Sequence, residues 1–129
     1  MEKMKVLYIT VPSFFDLDVS LIRELSKYID INVLLVVSPQ SRKSSAFSID
    51  HLPKRCGIYS SVDYEGMDKY RDVIDEKKWF VANNSDNSFF SCFKLSNKIK
   101  EFIRKNEYDL IHTTSSCKTI LFLTPFLYA

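Results

Sequence analysis

Polar side chains that suit an anion or a polyhydroxyl ligand are concentrated near the end of the chain. His112 closes an apolar run, and the four residues after it, Thr113, Thr114, Ser115 and Ser116, all carry hydroxyl groups. At a helix N-terminus, such hydroxyls lie beside backbone N–H groups that favour anions. Two interpretations are open: a ligand site, or a buried His112 bonded to backbone, with Ser115 or Ser116 as an ordinary helix cap.

Glycine is scarce, which excludes the common phosphate-binding loops. Only Gly57 and Gly66 occur in 129 residues, whereas average usage of ~7% gives about nine. A Walker P-loop and a GxGxxG fingerprint each need several closely spaced glycines. Any contact with a phosphate or a sugar must therefore use another arrangement.

Charge and cysteine content narrow the class of protein further. The net charge of +2 is too small to indicate a nucleic-acid partner, and we expect none. Cys56, Cys92 and Cys117 are scattered without CxxC spacing, which argues against a disulfide framework or structural zinc and favours reduced thiols in a cytosol. We therefore expect a cytoplasmic chain with no metal and no cofactor.

The first third of the sequence predicts a strand, a helix and a strand. Residues 5–11 and 31–37 are nearly continuous apolar runs, typical of parallel strands covered on both faces. Asp16 or Asp18 is placed to cap the helix between them. The resulting βαβ unit predicts an α/β fold. The apolar face expected for the helix consists of Leu21, Ile22, Leu25, Tyr28 and Ile29.

The remainder continues the alternation of strands and helices. Residues 38–53 read as a polar loop, 57–62 and 78–82 as strands, and 67–74 as a short helix. A longer helix ends near Asn106, and residues 109–113 are predicted to form another buried strand. The apolar stripe of the longer helix consists of Phe89, Cys92, Leu95, Ile99, Phe102 and Ile103.

Ligands of open α/β sheets bind beyond the carboxyl ends of the strands. In this sequence those ends are followed by residues 12–16, 38–43, 83–87 and 112–116. The last of these segments contains His112 and is the leading candidate.

The element order, together with the segment FIRKNEYDLIHTTSS at residues 102–116, resembles the N-terminal domain of GT-B-type glycosyltransferases of the retaining family-four group. The family's strand reads Asp-x-[Ile/Val]-His-x-His. Asp109, Ile111 and His112 match it, and Thr114 replaces the second histidine, which contacts the transferred sugar in the family. Ser115 and Ser116 match the small polar residues that often follow.

The resemblance implies a Rossmann-like three-layer sandwich with a mostly parallel sheet, formed by residues 1–129 as one domain that is incomplete at its C-terminus. It also implies that the chain is the acceptor-side domain of a glycosyltransferase. Such an enzyme transfers a sugar from a nucleotide-sugar donor to a glycan or lipid-linked acceptor in polysaccharide biosynthesis. The family's donor-domain motif would lie beyond residue 129, so we expect this chain to be inactive by itself, and peripheral contact with the inner membrane face is compatible with this role.

The first loop departs from the family pattern. The family's Gly-Gly is replaced by Pro12, Ser13, Phe14 and Phe15. Ser13 and Phe14 are predicted to face His112 across the site, where the aromatic side chains either stack on a sugar or pack internally. The predicted substrate-binding set is therefore Ser13, Phe14, His112, Thr114, Ser115 and Ser116.

Other classes of function stay open. A non-enzymatic, flavodoxin-like binding or signalling module fits the same element order, although a phospho-receiver would need acids directly after the first strand and Asp16 and Asp18 come late. A weaker alternative is a nucleic-acid or membrane-surface binder that uses the basic helix at residues 94–105. The apolar residues 120–129 predict self-association through Phe122, Phe126 and Leu127.

Overall fold

The structure, a computed structural model, describes residues 3–10, 15–37, 56–60, 78–84 and 88–113, with the backbone alone at 15–19 and 60. These residues form five strands and two helices. In chain order they are β1 (Lys5–Thr10), α1 (Phe15–Leu25), β2 (Asp30–Val37), β3 (Gly57–Ser60), β4 (Trp79–Asn83), α2 (Phe89–Asn106) and β5 (Leu110–Thr113).

The five strands form one mixed sheet in the order β3-β4-β2-β1-β5. β1 is parallel to both β2 and β5, and β2 is parallel to β4, whereas β3 runs antiparallel to β4. The chain therefore has the predicted α/β fold, and the predicted parallel pairing of the first two strands is confirmed.

The two helices pack on opposite faces of the sheet. Successive side chains of a strand point to opposite faces, so Tyr8 belongs to one buried cluster with Ile22 of α1, and Ile9 belongs to the other with Ile99 of α2. All four side chains are almost completely buried. At about 1.5–3 kcal/mol for each fully buried branched or aromatic side chain, burial on both faces is the main force that holds the helices to the sheet.

Helix α2 has a defined cap at each end. The Ser88 hydroxyl accepts a hydrogen bond from the Ser91 N–H at 3.1 Å, which satisfies one of the free donors of the first turn. After Asn106, Glu107 adopts a left-handed conformation with φ 52°, and its N–H donates to the Ile103 carbonyl at 3.2 Å. The prediction that the helix ends near Asn106 is confirmed.

The expectations for α1 were wrong in two respects. The helix begins at Phe15, so Asp16 and Asp18 lie within it instead of capping it. Leu21 and Tyr28 are exposed, at 48% and 70%, whereas Ile22 is buried. Leu21 is one position, or about 100°, away from Ile22 around a helix with 3.6 residues per turn, and Tyr28 lies in the turn beyond the helix.

The expectation that residues 109–113 form a buried strand was also wrong. β5 lies at one edge of the five described strands, and in it Leu110 is 54% exposed and His112 is exposed. Phe89, predicted to lie on the apolar stripe of α2, is exposed as well, because it is the first residue of the helix. The predicted helix at 67–74, the loop at 38–53 and the apolar segment at 120–129 lie outside the described residues.

Candidate functional site

The carboxyl ends of four strands meet at one edge of the sheet, because β4, β2, β1 and β5 run parallel to one another. We call this the carboxyl edge. The last residues of these strands are Asn83, Val37, Thr10 and Thr113. Thr10 and Asn83 are completely buried, so polar groups occupy positions at which a strand that only packs would have apolar side chains.

His112 lies on β5, one residue before the strand ends. Its backbone is in register with Tyr8 of β1, and the two rings are 4.8 Å apart with 39° between their planes. Tyr8 is buried beneath, while the imidazole is exposed. The alternative of a buried histidine bonded to backbone was therefore wrong. A ring held on one side and open on the other can donate or accept a hydrogen bond at the surface.

Asp109 fixes the other end of β5. Its Oδ2 accepts a hydrogen bond from the Lys5 N–H at 2.8 Å, and its own N–H donates to the Lys5 carbonyl, also at 2.8 Å. These two bonds attach the start of β5 to the start of β1 and so determine the register that brings His112 beside Tyr8. Asp109 is thus a positioning residue for His112.

Asn84 follows the last residue of β4 and is buried, with 2% of its surface exposed. Its backbone N–H donates to the Val37 carbonyl at 2.8 Å, and its Nδ2 donates to Cys92 Sγ in α2 at 3.1 Å. The side-chain oxygen Oδ1 accepts no hydrogen bond from the described part of the chain. An unsatisfied buried acceptor costs about 1–3 kcal/mol, so this oxygen is a natural partner for a buried water molecule.

The sequence pointed to residues 83–87 as a ligand-facing segment but did not single out Asn84. The sequence feature that could have identified Asn84 is an asparagine placed directly after a buried strand. Of the six predicted substrate-binding residues, His112 is described and lies at the carboxyl edge. Ser13, Phe14, Thr114, Ser115 and Ser116 lie outside the described residues, so their predicted proximity to His112 stays a prediction.

No group of three or more histidine, cysteine, aspartate or glutamate side chains within the described ranges is placed to hold a metal ion. Neither helix in this part of the chain combines the length and apolar character needed to cross a membrane.

Comparison of the chain with protein families, with curated proteins and with solved structures gives no match.

Proposed function

We propose that this chain is the acceptor-binding domain of a GT-B-type glycosyltransferase that resembles the retaining family-four group. The reaction is transfer of a sugar from a nucleotide-sugar donor to a glycan or a lipid-linked acceptor, as in polysaccharide biosynthesis. The observation that carries the proposal is the position of His112, exposed at the carboxyl edge within the pattern Asp109-x-Ile111-His112.

The strand order supports the finer, Rossmann-like fold that this proposal needs. From β1 the chain passes to β2 and β4 on one side of the sheet, and later returns to β5 on the other side of β1. In doubly wound sheets, ligands bind at the carboxyl edge where the strand order reverses in this way. That point lies between β1 and β5, and His112 is exposed on β5 with its ring against that of Tyr8 of β1.

The chemistry available at this edge suits binding of a neutral, hydroxyl-rich acceptor. His112 can accept a hydrogen bond from a sugar hydroxyl or donate one to it. The strand-end residues described above include no lysine or arginine. Stabilising the nucleotide diphosphate as it leaves requires positive charge, so we assign that task to a separate donor-binding domain.

The proposal is tested by titrating the chain with methyl glycosides and short oligosaccharides while observing the histidine Cε1–H signals by NMR. The chain has two histidines, His51 and His112, and single substitutions to glutamine assign their signals. We expect a saturable shift of the His112 signal with at least one glycan. His112→Ala should weaken binding about fivefold to tenfold, as expected for one lost hydrogen bond of ~1 kcal/mol.

Tyr28→Ala is the control, because it removes an exposed aromatic ring in the turn between α1 and β2, at the opposite edge of the sheet from His112, and it should bind as tightly as the unmodified chain. Glycan affinity that is the same in His112→Ala would remove His112 from the site. If no glycan shifts the His112 signal at any concentration, the acceptor-binding proposal is wrong, and the flavodoxin-like module becomes the better interpretation.

A further inference from the structure

A groove lies on the α2 face of the sheet, away from the carboxyl edge. Its volume is about 470 Å³, within the ~300–1,000 Å³ range of small-molecule sites. The apolar floor is formed by Ile58 of β3, Phe80 of β4 and Phe102 of α2, and the polar rim by Lys98, Glu101 and Lys105, with Asn106 at one end.

The groove is separate from the site around His112. The residues that line it include neither His112 nor Asn84. The groove lies on the α2 face of the sheet, whereas the ring of His112 contacts Tyr8, which belongs to the cluster under α1. A ligand in the groove would therefore not occupy the proposed acceptor site.

The floor presents aromatic rings that are held in place. The rings of Phe80 and Phe102 meet edge to face, with centroids 4.9 Å apart and 64° between their planes. Phe102 also contacts Tyr108, at 6.2 Å between centroids. Rings fixed by such neighbours lose little conformational entropy when a planar ligand packs against them.

The rim carries two positive charges and one negative charge, all on α2. Lys98, Glu101 and Lys105 are spaced i, i+3 and i+7 on α2, which brings them to one side of the helix. Neither lysine forms an ion pair or a hydrogen bond in the part of the chain that the structure describes. With Glu101 included, the rim has one net positive charge, which attracts a singly charged anion, adds nothing to the binding of a neutral ligand and repels a cation.

We propose that this groove binds a small organic anion in which a planar aromatic ring carries one anionic group. The ring packs on Phe80 and Phe102, and the anionic group lies between Lys98 and Lys105. Glu101 limits the site to ligands of low charge. The combination of an apolar, aromatic floor with a few polar groups at the rim is the usual composition of a small-molecule site.

The experiment uses naphthalene-2-carboxylate as the probe and its neutral analogue, 2-naphthylmethanol, as the control ligand. The isoleucine δ1 methyl groups are labelled and observed by NMR during titration of the whole chain. Ile58 in the floor should shift saturably, while Ile22, buried on the opposite face under α1, should not. We expect the neutral analogue to bind at least fivefold more weakly.

Substitutions then locate the charge contribution. The double variant Lys98→Gln/Lys105→Gln should weaken binding of the carboxylate about fivefold to tenfold, as expected for two exposed ion pairs. Lys94→Gln/Lys100→Gln removes the same charge from residues of α2 that do not line the groove, and should have less than a twofold effect. Glu101→Gln should tighten binding about twofold, a gain that a folding defect cannot produce.

Several results would overturn the proposal. These are equal affinity for the carboxylate and the alcohol, equal weakening by the two double lysine variants, or weaker binding by Glu101→Gln. An unresponsive Ile58 methyl, or one that shifts no more than Ile22, would have the same consequence.

Discussion

Asp109 directly precedes β5, and His112 lies within the strand three positions later. The two side chains have different structural roles. At about 3.3 Å per residue along a strand, their Cα atoms are roughly 10 Å apart. The Asp109 carboxylate holds the backbone of Lys5 at the start of the strand, and the imidazole of His112 is displayed near its end. The Asp-x-x-His spacing therefore separates the group that fixes the strand from the group that faces a ligand.

Tyr108 is the titratable residue with a clearly shifted pKa among those described. Burial, followed by the negative charge of Asp30, raises its pKa to about 12. Its hydroxyl is buried and has no hydrogen-bond partner among the described residues. Lys5 lies over the ring, with Nζ 5.0 Å from its centroid, but donates its hydrogen bond to the Asn106 carbonyl at 2.7 Å.

This shift predicts a loss of stability at high pH that Tyr108→Phe should remove. Below pH ~10 the phenol is neutral in both the folded and the unfolded chain. Between pH 10 and about 12 it ionises in the unfolded chain alone, so its contribution to the free energy of unfolding decreases across that window. Urea unfolding from pH 7 to pH 11.5 should show the unmodified chain losing more stability than Tyr108→Phe above pH 10.

Near neutral pH, Tyr108→Phe should be at least as stable as the unmodified chain, because it removes a buried hydroxyl that lacks a partner. Tyr28→Phe, which removes an exposed hydroxyl, is the matched control. Identical pH dependence of Tyr108→Phe and the unmodified chain between pH 10 and 11.5 would contradict the assignment.

At the scale of the elements, α2 begins with a favourable cap and ends with an unfavourable one. Glu107 has φ 52°, a left-handed conformation that costs about 1 kcal/mol for a residue with a Cβ atom and little for glycine. We therefore predict that Glu107→Gly is about 1 kcal/mol more stable than Glu107→Ala in urea or thermal unfolding. Alanine is the correct reference because both substitutions remove the same charge.

A glycine elsewhere in the helix provides the opposite control. Lys100→Gly, in the middle of α2, should have a free energy of unfolding about 1 kcal/mol lower than that of Lys100→Ala. If glycine and alanine at position 107 give equal stability, the left-handed cap does not strain the chain.

Hydrophobic pattern alone predicted the central strands and α2, because continuous apolar runs and a 3.6-residue period are local properties of the sequence. The same pattern misplaced Leu110, which is apolar and yet half-exposed. Exposure of β5 depends on its position at the edge of the sheet, and strand order is determined by contacts between residues far apart in sequence. The antiparallel pairing of β3 with β4 was unpredicted for the same reason.

The candidate site was predicted in part. His112 was predicted as a site residue because it ends an apolar run and belongs to the Asp-x-[Ile/Val]-His pattern. The burial of Asn84 was not predictable, because it depends on the contact of its Nδ2 with Cys92 of α2, a contact between separate elements. The groove floor depends likewise on Phe80 and Phe102 meeting from separate elements.

At the scale of the whole molecule, two buried clusters share one set of strands. β1, β2 and β4 contribute alternate side chains to the cluster under α1 and to the cluster under α2. A substitution that weakens packing in one cluster therefore also disturbs the strands that hold the side chains of the other cluster. The same sheet carries the proposed acceptor site at its carboxyl edge and the proposed anion groove on its α2 face, so both sites depend on an intact sheet.

This sharing predicts that the described fold unfolds as one unit. Trp79 is the single tryptophan of the chain and belongs to the cluster under α1, so its fluorescence reports that face, whereas far-UV circular dichroism reports both helices and the sheet. Ile99→Val, in the cluster under α2, should lower the free energy of unfolding by about 0.5–1.5 kcal/mol. The fluorescence and circular dichroism midpoints in urea should decrease together.

Ile22→Val removes the same methylene group from the opposite face and should likewise move both midpoints equally. The decisive comparison is the Trp79 midpoint in Ile99→Val, because this substitution is separated from the indole by the thickness of the sheet. A fluorescence midpoint that stays at the value of the unmodified chain while the circular dichroism midpoint falls would mean that the two faces unfold independently. Strands β1, β2 and β4 would then transmit no stability from one cluster to the other.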